Sequence, residues 1–126
     1  MNKVDKIPLY FNLNWSYFLM SINARIEQLL QGHKVLLFMK GTPDFPQCGF
    51  SGQAVQILGA CAAQFDHFNI FEDSDIREGL KSYSNWPTYP QLYINGELIG
   101  GCDIMIDLYK KGELVTLLAA ANAVTA

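Results

Sequence analysis

Five consecutive apolar residues, Val35-Leu36-Leu37-Phe38-Met39, stand between a basic pair and a Gly-Thr-Pro loop with no polar residue among them. A strand with one wet face alternates apolar and polar side chains. An unbroken run of this length, rich in branched residues and bounded by turn formers, reads instead as a strand buried on both faces. Such a strand needs a covering layer on each side of its sheet, which points to an α/β architecture. The chain has 126 residues, enough for one compact domain. Half of it is hydrophobic, so there is apolar surface to offset chain entropy, and global disorder is excluded.

The flanking segments supply the layers. Ser21 is a candidate N-cap for a helix carrying Ile22, Ile26, Leu29 and Leu30 on one stripe, with Arg25, Glu27 and Gln28 outside, ending at Gly32. Gly41 to Gln47 holds two prolines and reads as a loop. Ser51 to Gln64 is helical in composition, with Val55, Leu58 and Ala62 at helical spacing and Cys61 in the core. Phe65 to Phe71 fits a strand imperfectly, and Asp73-Ser74-Asp75 opens a third helix running to about Tyr83. Asn95-Gly96 between two short apolar runs is a hairpin signal. Asp103 opens a fourth helix that stops at Gly112, and Glu113 to about Asn122 forms a last one. The order α-β-α-β-α-β-β-α-α, with one parallel crossover and one hairpin, implies a small mixed sheet with helices on both faces.

Residues 7–22 are apolar but interrupted by Asn12, Asn14 and Ser16. A membrane-spanning helix needs roughly 20 mainly apolar residues, and a secretory signal needs a small-residue cleavage site that is missing here. Residues 1–19 are expected to be poorly ordered and dispensable, with Met20 as the natural start and residues 20–126 as the domain. Their lack of Arg and the presence of Asp5 argue against an organellar transit peptide, so the cytoplasm is the expected compartment. Nine Lys+Arg against twelve Asp+Glu leave a net charge of -3, which supplies no basic excess for nucleic acid. Three cysteines, Cys48, Cys61 and Cys102, suit a reducing compartment better than a disulfide scaffold. Neither His33 nor His67 has ligand spacing to another His or Cys, so zinc is not expected.

Cys48 is the candidate reactive group. It sits where the loop after a buried strand feeds a helix, and free backbone N–H groups and the helix dipole there favour thiolate. Lys40 adds a positive charge at the end of the preceding strand. Three residues on, where a dithiol oxidoreductase carries its resolving cysteine, stands Ser51. Cys48 can therefore form a mixed disulfide or act as a single soft ligand, but it cannot close a C-x-x-C cycle.

Three separated motifs add a resemblance. Lys40 to Ser51 reads K-G-T-P-D-F-P-Q-C-G-F-S, Trp86 to Gln91 reads W-P-T-Y-P-Q, and Gly100 to Asp103 reads G-G-C-D. Together they resemble a monothiol glutaredoxin of the CGFS type over about Ile22 to Leu118. The resemblance implies a thioredoxin-like fold with a four-stranded mixed sheet, glutathione binding, and a [2Fe–2S] cluster shared by two subunits. Each subunit of such a homodimer gives one cysteine, and two glutathiones give the other thiols. The chemistry agrees, because a [2Fe–2S] cluster takes four thiolates and one exposed cysteine per chain supplies too few.

By the same resemblance Lys40, Arg77 and Lys81 would attract the glycyl carboxylate of glutathione. Arg77 and Lys81, spaced i, i+4, share a helix face and read otherwise as a solvated charged surface. Thr88, Tyr89 and Pro90 match a segment ending in a cis-proline, with the Tyr89 backbone pairing the cysteinyl unit and its side chain more variable in role. Gly101, Cys102 and Asp103 would receive the γ-glutamyl end at a helix N-terminus. Cys102 is either a buried small hydrophobe or a second thiol oxidisable with Cys48. Trp86 and Phe50 are rim candidates. The function implied is carriage of a [2Fe–2S] cluster to apo iron–sulfur proteins. The alternatives are a glutathione-dependent oxidoreductase using Cys48 as nucleophile, and a regulatory module with a BolA-type partner.

Overall fold

A computed structural model describes residues 21–125. The expectation for residues 1–19 lies outside the described residues. The elements in chain order are α1 (Ile22–Gln31), β1 (Val35–Met39), α2 (Gly49–Ala60), β2 (Asp66–Asn69), a 3₁₀ turn (Ile70–Glu72), α3 (Ser74–Ser84), β3 (Gln91–Ile94), β4 (Glu97–Gly100), α4 (Cys102–Lys110) and α5 (Glu113–Ala120). One sheet of order β2-β1-β3-β4 holds the four strands. β1 runs parallel to β2 and antiparallel to β3, and β3 turns back into β4 through Asn95-Gly96, both at positive φ.

β1 lies in the middle and all five of its residues are buried. Its side chains divide by the strand period of two. Val35, Leu37 and Met39 pack with Ala54, Ile57 and Leu58 of α2, Met105 of α4, and Leu114 and Leu118 of α5. Leu36 and Phe38 pack on the opposite face with Ile26 and Leu30 of α1 and Ile76 and Leu80 of α3. The unbroken apolar run is thus accounted for by two helical layers, as in the thioredoxin-like arrangement.

Three details differ from the sequence reading. Arg25 is buried, not on the outer face of α1, because its guanidinium pairs with Asp73, whose Oδ1 also accepts from the backbone N–H groups of Asp75 and Ile76 and caps α3. The inward stripe of α2 is Ala54, Ile57 and Leu58, whereas Ala62 is exposed beyond the helix. Ala62 takes φ 54°, and the Ala63 N–H closes back on the Leu58 carbonyl at 3.0 Å, a helix stop that glycine usually provides. The strand expected over Phe65 to Phe71 is cut to four residues, because Asn69 bends the chain into the 3₁₀ turn and its side chain accepts from Phe71 N–H at 3.0 Å.

Candidate functional site

The loop after β1 is folded back tightly on the strand it leaves. Gly41 has φ +90°, and a Cβ there would lie 2.5 Å from the Phe45 carbonyl oxygen, so glycine is required on both counts. The Gln47 N–H donates to the Lys40 carbonyl at 2.9 Å, and Thr42 and Phe45 exchange backbone hydrogen bonds. Asn69, at the end of β2, accepts from Gly41 N–H at 3.0 Å and ties the loop to the neighbouring strand. The loop therefore delivers Cys48 back beside the end of β1, with Phe45 exposed at its tip.

Cys48 is the N-cap of α2 and is half-buried. Hydrogen bonding from the backbone of Ser51 is the largest influence on its thiol and lowers the pKa from the ordinary thiol value. Partial burial opposes this, while the Phe50 backbone, the Lys40 charge and the Ser51 hydroxyl add to the lowering. Ser51 itself is wholly buried, and its Oγ accepts from the Lys40 backbone N–H at 3.1 Å. The residue that stands in place of a second thiol is thus a fastener between β1 and α2. Burial pushes the pKa of Cys61 up, as befits a core thiol.

A cavity of about 550 Å³ opens above Cys48. The structure brings all the residues singled out by sequence to its lining: Lys40 and Cys48 at the base, Arg77 and Lys81 from α3, Thr88, Tyr89 and Pro90 from the segment before β3, and Gly101, Cys102 and Asp103 from the start of α4. Phe50 and Trp86 also line the cavity. Arg77 and Lys81 do share the cavity side of α3. The Lys81 Nζ is 3.3 Å from Glu78 Oε2, and the Arg77 guanidinium lies 5.3 Å from the centre of the Phe71 ring.

The Tyr89–Pro90 peptide is cis. The Tyr89 side chain is buried, and its hydroxyl donates to the Arg77 carbonyl at 2.8 Å, fastening the segment to α3. Burial raises the phenol pKa well above the tyrosine range. Gly101 is the N-cap of α4, so the first backbone N–H groups of that helix face the cavity without a side-chain cap. Cys102 is buried, and its thiol lies 3.4 Å from Gln53 Oε1. Desolvation, with the nearby Asp103 and Cys48, raises its pKa, so the two cysteines of the cavity are set apart, one toward thiolate and one toward thiol.

Sequence reasoning missed Asn69, Gln53 and Gln91. Gln91 is fully buried and donates to the carbonyls of Trp86 and Thr88, holding the segment that forms one wall. A glutamine directly after the Thr-Tyr-Pro turn was visible, but its partners became clear only in three dimensions.

The cavity couples one activated thiol to cations on one side and a helix N-terminus on the other, an arrangement suited to a small thiol bearing carboxylates at both ends. Among the described residues no group of three or more His, Cys, Asp or Glu side chains is placed to hold a metal ion. No helix among them is long and apolar enough to cross a membrane.

A glutaredoxin family profile matches residues 35–99. Monothiol glutaredoxin-S11 of rice, Oryza sativa subsp. japonica, is 54% identical over 102 residues, which are 81% of this chain and 21% of that protein. The chain thus spans about a fifth of that relative. A ycf64-like monothiol glutaredoxin of Synechocystis sp. is 54% identical over 100 residues, covering 79% of this chain and 94% of that protein. The solution structure of reduced poplar apo GrxS14 superposes with a TM-score of 0.70 at 52% identity, over 80% of this chain and 93% of that one. The profile runs from the start of β1 into β4 and the Synechocystis relative is matched almost end to end, so the chain belongs to the glutaredoxin family, among its monothiol members.

Proposed function

We propose that this protein binds glutathione in the cavity above Cys48 and, as a homodimer, carries a [2Fe–2S] cluster that it passes to apo iron–sulfur proteins. The observation that carries the reading is the single lowered-pKa thiol in a cavity lined by Lys40, Arg77 and Lys81 and by the N-terminus of α4. Lys40, Arg77 and Lys81 would hold the glycyl carboxylate, and the N–H groups at the start of α4 the γ-glutamyl carboxylate, with Asp103 pairing its amine. The Tyr89 backbone would pair the cysteinyl unit in strand fashion. The thiol of glutathione then lies beside that of Cys48.

The donor set fits a shared cargo and not a resident one. A [2Fe–2S] cluster takes four thiolates, and soft sulfur donors suit it. Cys61 is in the core and Cys102 is buried with a raised pKa, which leaves Cys48 alone as the ready ligand in each chain. Two chains and two glutathiones complete the count. Phe45 and Phe50, 76% and 60% exposed on either side of Cys48 in sequence, offer apolar surface that a second chain or a BolA-type partner would cover. A reducing cytoplasm would keep Cys48 free for this use.

A second reading rests on the same lowered thiol. Cys48 thiolate would attack the glutathione sulfur of a protein mixed disulfide, releasing the protein thiolate and leaving Cys48–glutathione. A second glutathione thiolate would then attack that disulfide, yielding oxidised glutathione and free Cys48. Anaerobic incubation with iron, sulfide and glutathione, followed by visible absorption and size measurement against a Cys48→Ser control, separates the readings. The carrier reading expects a glutathione-dependent chromophore and a shift to dimer, both lost in the control. Catalytic deglutathionylation without a chromophore would overturn it in favour of the second.

A further inference from the structure

A fully buried glutamine stands behind one wall of the cavity. Gln91 Oε1 accepts from the Tyr93 hydroxyl at 2.9 Å, while Nε2 donates to the Trp86 carbonyl at 3.1 Å and the Thr88 carbonyl at 3.2 Å. A primary amide has two N–H donors and one carbonyl, and here each is engaged. Burying such a group is costly unless it is bonded, and these bonds are directed at the main chain of the segment joining α3 to β3. The clamp extends further through Trp86. A Cβ on Gly101 would stand 3.3 Å from the Trp86 indole Nε1 and 3.3 Å from the Pro90 carbonyl oxygen. The indole Nε1 is buried with no hydrogen-bond partner, and it lies where a side chain on Gly101 would crowd it. Trp86 thus lies beside Gly101, the N-cap of α4, so a shift of the indole toward it would press on that helix start.

We propose that Gln91 is a positioning residue: its carboxamide fixes the height of the Thr88–Tyr89 backbone and, through Trp86, of the α4 N-terminus above Cys48, and so sets the affinity of the cavity for glutathione. This rests on the glutathione reading given above. The polarity of the amide is what matters. Two carbonyl oxygens face Nε2 and a hydroxyl donor faces Oε1, so an apolar side chain of equal length abandons all three, and an ionised carboxylate repels the two carbonyls.

The full chain, Gln91→Met and Gln91→Glu test this by three measurements. Amide resonances of Thr88 and Tyr89 are recorded without ligand, glutathione affinity by calorimetry, and Cys48 ionisation by its thiolate absorbance. Gln91→Met shifts the loop resonances and weakens glutathione about tenfold. Its Cys48 titration stays that of the wild type, because the N–H groups that favour the thiolate belong to α2. A general loss of structure would move that titration as well. Burial raises the pKa of the carboxyl in Gln91→Glu, so this variant binds weakly once rising pH ionises it and regains affinity, relative to wild type at each pH, as lower pH protonates it and restores a donor. Should Gln91→Met fail to fold, this recovery decides alone. Unmoved loop resonances, equal glutathione affinity in wild type and Gln91→Met, or a Gln91→Glu affinity that keeps a constant ratio to wild type as pH is lowered from alkaline values overturns the role of Gln91. A wild-type chain that takes up no glutathione overturns instead the reading of the cavity, and the affinity claim with it.

Discussion

The Ser51 hydroxyl accepts the Lys40 backbone N–H across the junction of β1 and α2, at 3.1 Å and out of contact with solvent. The residue that denies this site a second thiol is therefore also the one that sets the cation at the end of β1 against the cysteine at the start of α2. Removing the hydroxyl takes the partner from a part-buried donor, which costs about 1 kcal/mol. Ser51→Ala is expected to lose stability on that scale in urea denaturation. Its Cys48 pKa rises as well, but remains below the ordinary thiol value, because the Ser51 backbone N–H is the larger influence and survives the change.

Gly41 tests the loop that delivers Cys48. A Cβ at φ +90° and 2.5 Å from the Phe45 carbonyl has no relief through a flexible side chain, since the obstacle is backbone. Gly41→Ala is expected to cost about 2–4 kcal/mol and to displace the loop. Alkylation of Cys48 at neutral pH, followed over time, would slow as the thiol leaves the N–H groups that stabilise its thiolate.

Asp73 and Arg25 anchor α3, which carries Arg77 and Lys81. Asp73→Ala removes an N-cap and the Asp73 carboxylate that pairs a buried guanidinium, so a loss of about 2–4 kcal/mol is expected. Arg25→Met leaves the cap bonds of Asp73 in place and is expected to cost less. Chemical denaturation of the two variants orders them, and a larger loss in Arg25→Met would contradict the assignment.

Alkaline pH probes the buried hydroxyls. Burial raises the Tyr93 phenol from 10.0 to about 12, and that of Tyr89 is raised as well. Above the unfolded value the unfolded chain sheds these protons while the folded chain keeps them, so the folded state binds more protons and stability falls as pH rises. The loss from Tyr93 runs between about pH 10 and 12. Cys61 and Cys102, whose folded pKa values are also raised, act in the same direction above the ordinary thiol value. Cys48 has the opposite sign: its lowered thiol contributes stability above the unfolded pKa, lost as pH falls through the folded one. Thermal unfolding across alkaline pH should show a net decline, less steep in Tyr93→Phe.

The parts of the fold governed by local pattern were legible in the chain. The β1 run, the Asn95-Gly96 hairpin and the cap at Asp73 each carry their signal within a few residues. Arg25 defeats the outward-charge rule for amphipathic helices because its partner lies 48 residues away. The α2 stripe was misread because Ala62 holds a left-handed stop without a glycine to announce it. At the site, Cys48, Ser51 and Lys40 stood out by type and position, whereas Arg77 and Lys81 read as a solvated charged face and were marked only by the resemblance. Asn69 and Gln91 did not, because an amide acquires a role only when the backbone groups it serves are known.

Native mass spectrometry of the anaerobically loaded protein bears most directly on the account. It predicts one species of two chains, one [2Fe–2S] unit and two glutathiones, absent in Cys48→Ser. A cluster held without glutathione, or held by a single chain, would contradict it.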